Sequence, residues 1–142
     1  MKKSQIRKKF LKLRENKLQK AKSINHNNII KLLKKKGIKG KIVGGYYPYN
    51  NELDCIKILE KLEKKNYIIS LPKIKKNFQM DFIQWSSKEP LVINKFGIPE
   101  PRNGKIKFPD ILLIPLLSFD KKLNRVGSVS YTHLTLPTRS TV

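Results

Sequence analysis

The stretch KIVGGYYPYNNELDCIKILEKLEKKNYIISL, residues 41–71, carries the fold. Its first seven residues, Lys41 to Tyr47, form a short apolar and aromatic run that reads as a strand. Pro48 to Asn51 is a turn. From Glu52 to Lys65 the period changes: Leu53, Ile56, Leu59 and Leu62 line one helical face, with acidic residues near the start. Tyr67 to Leu71 is a second apolar run, read as a buried strand that Pro72 ends.

Working outward, Met80 to Trp85 alternates apolar and polar residues and reads as a strand. Asp110 to Pro115, with Ile111-Leu112-Leu113-Ile114, reads as the clearest buried strand. Residues 97–104 carry Gly97, Pro99, Pro101 and Gly104 and read as an irregular connection. Upstream, residues 2–22 have a helical period through Ile6, Phe10 and Leu13. A second helix runs from Asn27 to Lys36 and stops at Gly37. Strands alternating with helices predict an α/β, three-layer fold, its mainly parallel sheet flanked by helices. Ligands of such sheets bind beyond the carboxyl ends of the strands, which singles out loops 46–54, 71–73 and 115–127.

The 142 residues are enough for one domain, and their formal charge is +22. A basic RNA- or ribosome-associated protein is the first thought. The composition argues otherwise: 27 of the 32 cations are Lys and only 5 are Arg, while Lys, Ile and Asn, all with AT-rich codons, total 55 residues. Base readout and bidentate phosphate binding favour Arg, so the charge reads as codon bias and nucleic acid as an unlikely partner. No apolar run reaches membrane-spanning length, so no membrane association is expected, and the polar start, Ser4 to Asn16, lacks a signal-peptide core. The lone Cys55 allows no internal disulfide, which fits a cytoplasmic setting.

Composition breaks after Gly127, because Ser128 to Val142 contains no Lys, Ile or Asn and is rich in Thr and Ser. Val129 to Leu134 back-translates as GTC TCT TAT ACA CAT CTN, which resembles the transposon-end adapter of sequencing libraries. Residues 1–127 are therefore expected to be a partial α/β domain and 128–142 a non-native tail.

Few residues carry chemistry on their own. Lys3 and Arg7, four apart, lie on one helical face and can grip a polyphosphate, although a solvated basic face looks the same. Glu52 and Asp54 follow Tyr46-Tyr47-Pro48-Tyr49, so they read either as helix N-terminal acids or as carboxylates beside an aromatic wall suited to a flat heterocycle. Trp85 suits core packing, Cys55 a small apolar helix position, and Gly44-Gly45 close backbone approach. His26 and His133 are isolated, and no metal-ligand cluster is visible. The strand leading to Arg125-Val126-Gly127 opens into a glycine-containing turn, a common phosphate cradle.

In order along residues 2–127, these pieces resemble the 5-formyltetrahydrofolate cyclo-ligase family, also called methenyltetrahydrofolate synthetases. The similarity rests on Lys3-x-x-x-Arg7, Gly45-Tyr46-Tyr47-Pro48, Glu52-Leu53-Asp54, Leu71-Pro72, and Met80-Asp81-Phe82 with Trp85. It continues through Gly97-Ile98-Pro99-Glu100-Pro101 and Pro115-Leu116-Leu117-Ser118-Phe119-Asp120 to Arg125-Val126-Gly127. The resemblance implies a monomer that binds 5-formyltetrahydrofolate and ATP with Mg2+. In this implied site Lys3, Arg7, Arg125, Val126 and Gly127 contact ATP, and Glu52, Asp54, Tyr49 and Trp85 serve the folate. The family pattern continues as R-x-G-x-G-x-G-Y-Y-D, whose aspartate holds magnesium. Only Arg125-Val126-Gly127 of it is present, so this chain is expected to be inactive as given.

Overall fold

The computed structural model describes residues 2–16, 25–48 and 52–127. Its elements are α1 (Lys3–Asn16), α2 (His26–Lys35), β1 (Ile42–Gly44), α3 (Ile56–Lys64), β2 (Ile68–Ile74), β3 (Met80–Trp85), β4 (Leu91–Ile93), β5 (Pro99–Pro101), β6 (Ile111–Leu112), β7 (Ser118–Phe119) and β8 (Arg125–Val126). A four-stranded mixed sheet runs in the order β3-β2-β1-β6. β1 pairs parallel with β2, Val43 opposite Ile69, and parallel with β6, Val43 opposite Ile111. β2 pairs antiparallel with β3 from Ile69–Trp85 to Ile74–Met80. β4 with β5, and β7 with β8, form two-stranded ribbons.

α3 crosses between the parallel strands β1 and β2. Ile58, Leu59 and Leu62 form its buried stripe, packed with Val43, Tyr46, Cys55, Ile69, Leu71 and Trp85. A fully buried Leu contributes about 1.5–3 kcal/mol, so this stripe, not helix propensity, fixes α3. α2 adds half-buried Ile29 and Ile30 to the cluster. Its start is capped by the Asn25 side chain, which accepts from the Asn27 N–H, and Gly37 follows its end with φ 67°.

Several boundaries differ from expectation. α1 is observed over Lys3–Asn16, and residues 17–22 of the expected helix lie outside the described residues. α3 starts at Ile56, not Glu52: Asp54 Oδ1 accepts the Ile56 N–H at 2.9 Å, ending the loop there. Pro72 does not end β2 but pairs with Phe82 inside it. The Ile68 N–H and Ser70 carbonyl point toward β1, so the Pro72 nitrogen, two residues on, faces the same side, beyond the end of β1. No ladder bond to β3 is lost. The 97–104 connection contains β5, which the Glu100 backbone makes with Val92. The expected buried strand at Asp110 to Pro115 is shorter and half-buried, with Ile114 exposed, because β6 is the edge of the sheet.

Candidate functional site

Two segments leave the carboxyl ends of the adjacent parallel strands β1 and β6. The Gly45 N–H bonds the Ser70 carbonyl, and the Leu113 N–H bonds the Gly44 carbonyl. A Cβ on Gly45 would lie 2.5 Å from Leu59 Cδ1, so only glycine lets the backbone pass this close to α3.

Beyond Gly45 the chain turns through a clasped loop. The Tyr46 hydroxyl donates to the Leu53 carbonyl at 2.7 Å, and the Cys55 thiol donates to the Tyr46 carbonyl at 2.8 Å. The Tyr46 N–H in turn points at Cys55 Sγ, 3.5 Å away. Burial pushes the Cys55 thiol up to about 12, and burial, then Cys55 and Glu52, hold the Tyr46 phenol above its ordinary range. Glu52, inside this loop, is 6% exposed, whereas Asp54 is exposed and caps α3. Tyr49 lies outside the described residues.

The segment after β6 is a hairpin. Leu117 donates to Val126, and the Asp120 carboxylate accepts from the Lys122 and Asn124 N–H groups at 2.9 Å. Its other oxygen takes the Asn124 side chain at 3.0 Å, and that bond chiefly holds the carboxyl below its usual range. Arg125 Nη1 donates to the Pro115 carbonyl at 3.3 Å, across the hairpin base.

α1 reaches this hairpin from the other end of the sequence. Arg7 Nε donates to the Gly127 carbonyl at 3.2 Å, and Arg14 Nη2 donates to the Leu116 carbonyl at 3.1 Å. Arg7, Arg125, Val126 and Gly127 are thus gathered, with Lys3 exposed one helical turn before Arg7. The Arg14 charge also acts on Tyr46, so α1 touches both segments electrostatically. Arg14 was not singled out in the sequence, although its spacing of seven from Arg7 places both on one helical face.

Trp85 stands apart from this gathering in its bonding: it is 6% exposed, belongs to the core cluster, and its indole N–H donates to the Glu89 carbonyl at 3.0 Å. Glu100 is a buried carboxylate with no local signature to select it as a site residue. One of its oxygens accepts from the Ile74 N–H at 3.1 Å and from Asn94 Nδ2 at 3.0 Å, tying the β4–β5 ribbon to the end of β2. Among the described residues no group of three or more His, Cys, Asp or Glu could hold a metal ion. None of their helices is long and apolar enough to cross a membrane.

Comparison with known proteins places the chain in a family. The 5-formyltetrahydrofolate cyclo-ligase of Haemophilus influenzae is 32% identical over 90 residues, covering 58% of this chain and 48% of that protein. The chain therefore spans about half the length of that curated relative. The NMR structure of Aquifex aeolicus 5,10-methenyltetrahydrofolate synthetase superposes with a TM-score of 0.67 at 28% identity, over 90% of this chain and 68% of the other. A 5,10-methenyltetrahydrofolate synthetase from Mycoplasma pneumoniae, at 22% identity, shares the fold with a TM-score of 0.61 over 92% of this chain and 73% of its own. The model of the 5-formyltetrahydrofolate cyclo-ligase family matches residues 1–130, nearly the whole chain, and the chain belongs to that family.

Proposed function

We propose that this chain carries the folate loop and nucleotide-gripping residues of an ATP-dependent ligase. The reaction cyclises 5-formyltetrahydrofolate to 5,10-methenyltetrahydrofolate, releasing ADP and phosphate. The observation that carries the reading is the Arg7–Gly127 hydrogen bond of 3.2 Å, which joins residues 120 apart in sequence. It unites the opening basic pair with the start of the glycine turn, at the sheet end where Glu52 is also found.

The chemistry needs a leaving group. The formyl oxygen on N5 attacks the γ-phosphorus of ATP, and the bond from that phosphorus to the ADP oxygen breaks, its electron pair leaving with ADP. N10 then attacks the activated carbon and loses its proton. Inorganic phosphate departs with the former formyl oxygen, leaving the methenyl bridge. The protein must align oxygen with phosphorus and offset phosphate charge. Lys3, Arg7 and Arg125 do the second, with the Val126 and Gly127 backbone beside them. The Gly127 bond uses one of the five N–H donors of Arg7, which leaves its outer fork for phosphate. Glu52 accepts ring N–H groups of the pterin from a dry position, where a charged acceptor counts most. Asp54 serves as a secondary folate contact, as does Tyr49 by its place in the sequence, and Trp85 backs the site from the core.

Bound magnesium would supply charge neutralisation for the phosphates. The described residues do not by themselves form a site for it, so no step here depends on it. We further infer a cytoplasmic monomer, for which the free thiol of Cys55 fits a reducing compartment, and a three-layer complete fold. The tail, residues 128–142, is inferred to be foreign from its composition.

The test is a pair of titrations of the 142-residue chain with 5-formyltetrahydrofolate and with ATP. Glu52→Gln is expected to weaken folate binding about tenfold with little change for ATP, and Lys3→Ala with Arg7→Ala the reverse. Unchanged folate affinity in the Glu52 variant would refute the assignment.

A further inference from the structure

Glu52 lies in a connection that local propensity alone does not hold in place. The helical pattern of the sequence runs through it, yet residues 52–55 are non-helical. What holds them out of the helix is a two-ended clasp between the start and the end of the loop. At one end Cys55, 1% exposed, bonds the Tyr46 main chain through both its thiol donor and its sulfur acceptor. At the other the Tyr46 phenol, on a ring that is itself core, holds the Leu53 carbonyl at 2.7 Å. That carbonyl belongs to the residue directly after Glu52, so the clasp holds the backbone one peptide beyond the residue that bears the carboxylate.

Resting on the folate reading above, we infer that Tyr46 is a positioning residue for the folate, acting through Glu52 by holding the Leu53 carbonyl with its hydroxyl. A buried phenol shielded from ionisation stays a donor across the physiological range, so the clasp does not switch. An aromatic residue here has a second reason: its ring joins Val43, Leu59 and Ile69 in the core, so the hydroxyl is aimed by a fixed frame.

The experiment is a double-mutant cycle of Tyr46→Phe and Glu52→Gln, read by titration with 5-formyltetrahydrofolate and, separately, ATP. Tyr46→Phe keeps the ring in the core and deletes only the donor. Expected is a roughly fivefold weaker folate affinity and less than a twofold change for ATP. In the Glu52→Gln background the same substitution should weaken folate less than about twofold, because its effect passes through the carboxylate. Cys55→Ala, which loosens the other end of the clasp, should give the same split. Equal losses for folate and ATP, or equal losses in both backgrounds, would mean a merely structural role and overturn the inference. Glu52→Gln without effect on folate overturns the functional reading and this inference with it. That outcome is distinguished because the failure then lies in the single Glu52 variant.

Discussion

Gly45→Ala tests the geometry on which the site is built. The added methyl would sit 2.5 Å from Leu59 Cδ1, 3.0 Å from Cδ2 and 3.2 Å from Cγ. Carbon atoms pack at about 3.5–4.0 Å, so at least one overlap is an ångström too close. Leu59 cannot swing aside, being 0% exposed in the centre of the core. Crowding a filled core costs about 1–3 kcal/mol. Alanine also reduces the freedom of the unfolded chain, which returns about 0.4–1 kcal/mol. Gly45 does not have a positive φ, so no backbone strain adds to the balance. The expected net loss is about 1–2 kcal/mol. Urea unfolding followed by the fluorescence of the single tryptophan, Trp85 in the same core, measures it. Leu59→Ala alone should cost about 2–5 kcal/mol, and the double variant should be more stable than the sum by about 1–3 kcal/mol, since the new methyl enters the space vacated. A cost for Gly45→Ala that stays the same in the Leu59→Ala background would refute the proposed collision.

Two further outcomes follow from buried polar groups. Ser70, 0% exposed between Gly44 and Gln84 in the sheet, has a hydroxyl with no hydrogen-bond partner among the described residues. Ser70→Ala should leave the urea midpoint unchanged or raise stability by up to about 1 kcal/mol, and a loss above about 0.5 kcal/mol would show that the hydroxyl is bonded. Cys55 ionises at 9.0 when unperturbed and at about 12 in the fold, so above pH 9 the unfolded chain releases a proton that the folded chain keeps. Its contribution is therefore complete below pH 9 and is lost as pH rises toward 12, with a slope on the order of 1 kcal/mol per pH unit. Stability curves of the parent and Cys55→Ala over that window should differ in slope by one proton, and parallel curves would contradict the buried, protonated thiol.

The βα unit of residues 41–71 was legible because burial imposes its period: of the expected face Leu53, Ile56, Leu59 and Leu62, the last two are fully buried and Ile56 is half-buried, whereas Leu53 lies before α3 and is exposed, and Ile58 joins the stripe instead. The start of α3 was not legible, since Glu52 and Leu53 suit a helix locally and only Tyr46 and Cys55, through tertiary contacts, keep them out of it. Pro72 misled for a similar reason. Proline is excluded from a strand paired on both sides, but β1 stops at Gly44 and leaves the Pro72 side open. β6 read as deeply buried because Ile111 to Ile114 is wholly apolar, yet apolarity cannot tell a central strand from an edge. Lys3, Arg7 and the Arg125–Gly127 segment were singled out through the family resemblance, and of these Arg7 is bonded to Gly127. Arg14 and Glu100 were missed because what each bonds, a carbonyl 102 residues away and the end of β2, has no local signature.

The arginines show how so basic a chain can hold a helix without a core beneath it. α1 buries no residue, and its apolar positions Ile6 and Phe10 are only half covered. Among 32 cations just 5 are Arg, yet Arg7, Arg14 and Arg125 each donate to a main-chain carbonyl within residues 115–127. A lysine ammonium is a strongly hydrated point donor and gives up much of its water to do this. A guanidinium is weakly hydrated and carries five donors in a rigid fork, so it can bond a carbonyl with one edge and still present another. On the proposed reading, Arg7 therefore both pins α1 to the hairpin and meets the phosphates. Nucleotide binding and α1 docking then reinforce each other, because an anion held by the outer fork of Arg7 fixes the same rotamer that reaches Gly127.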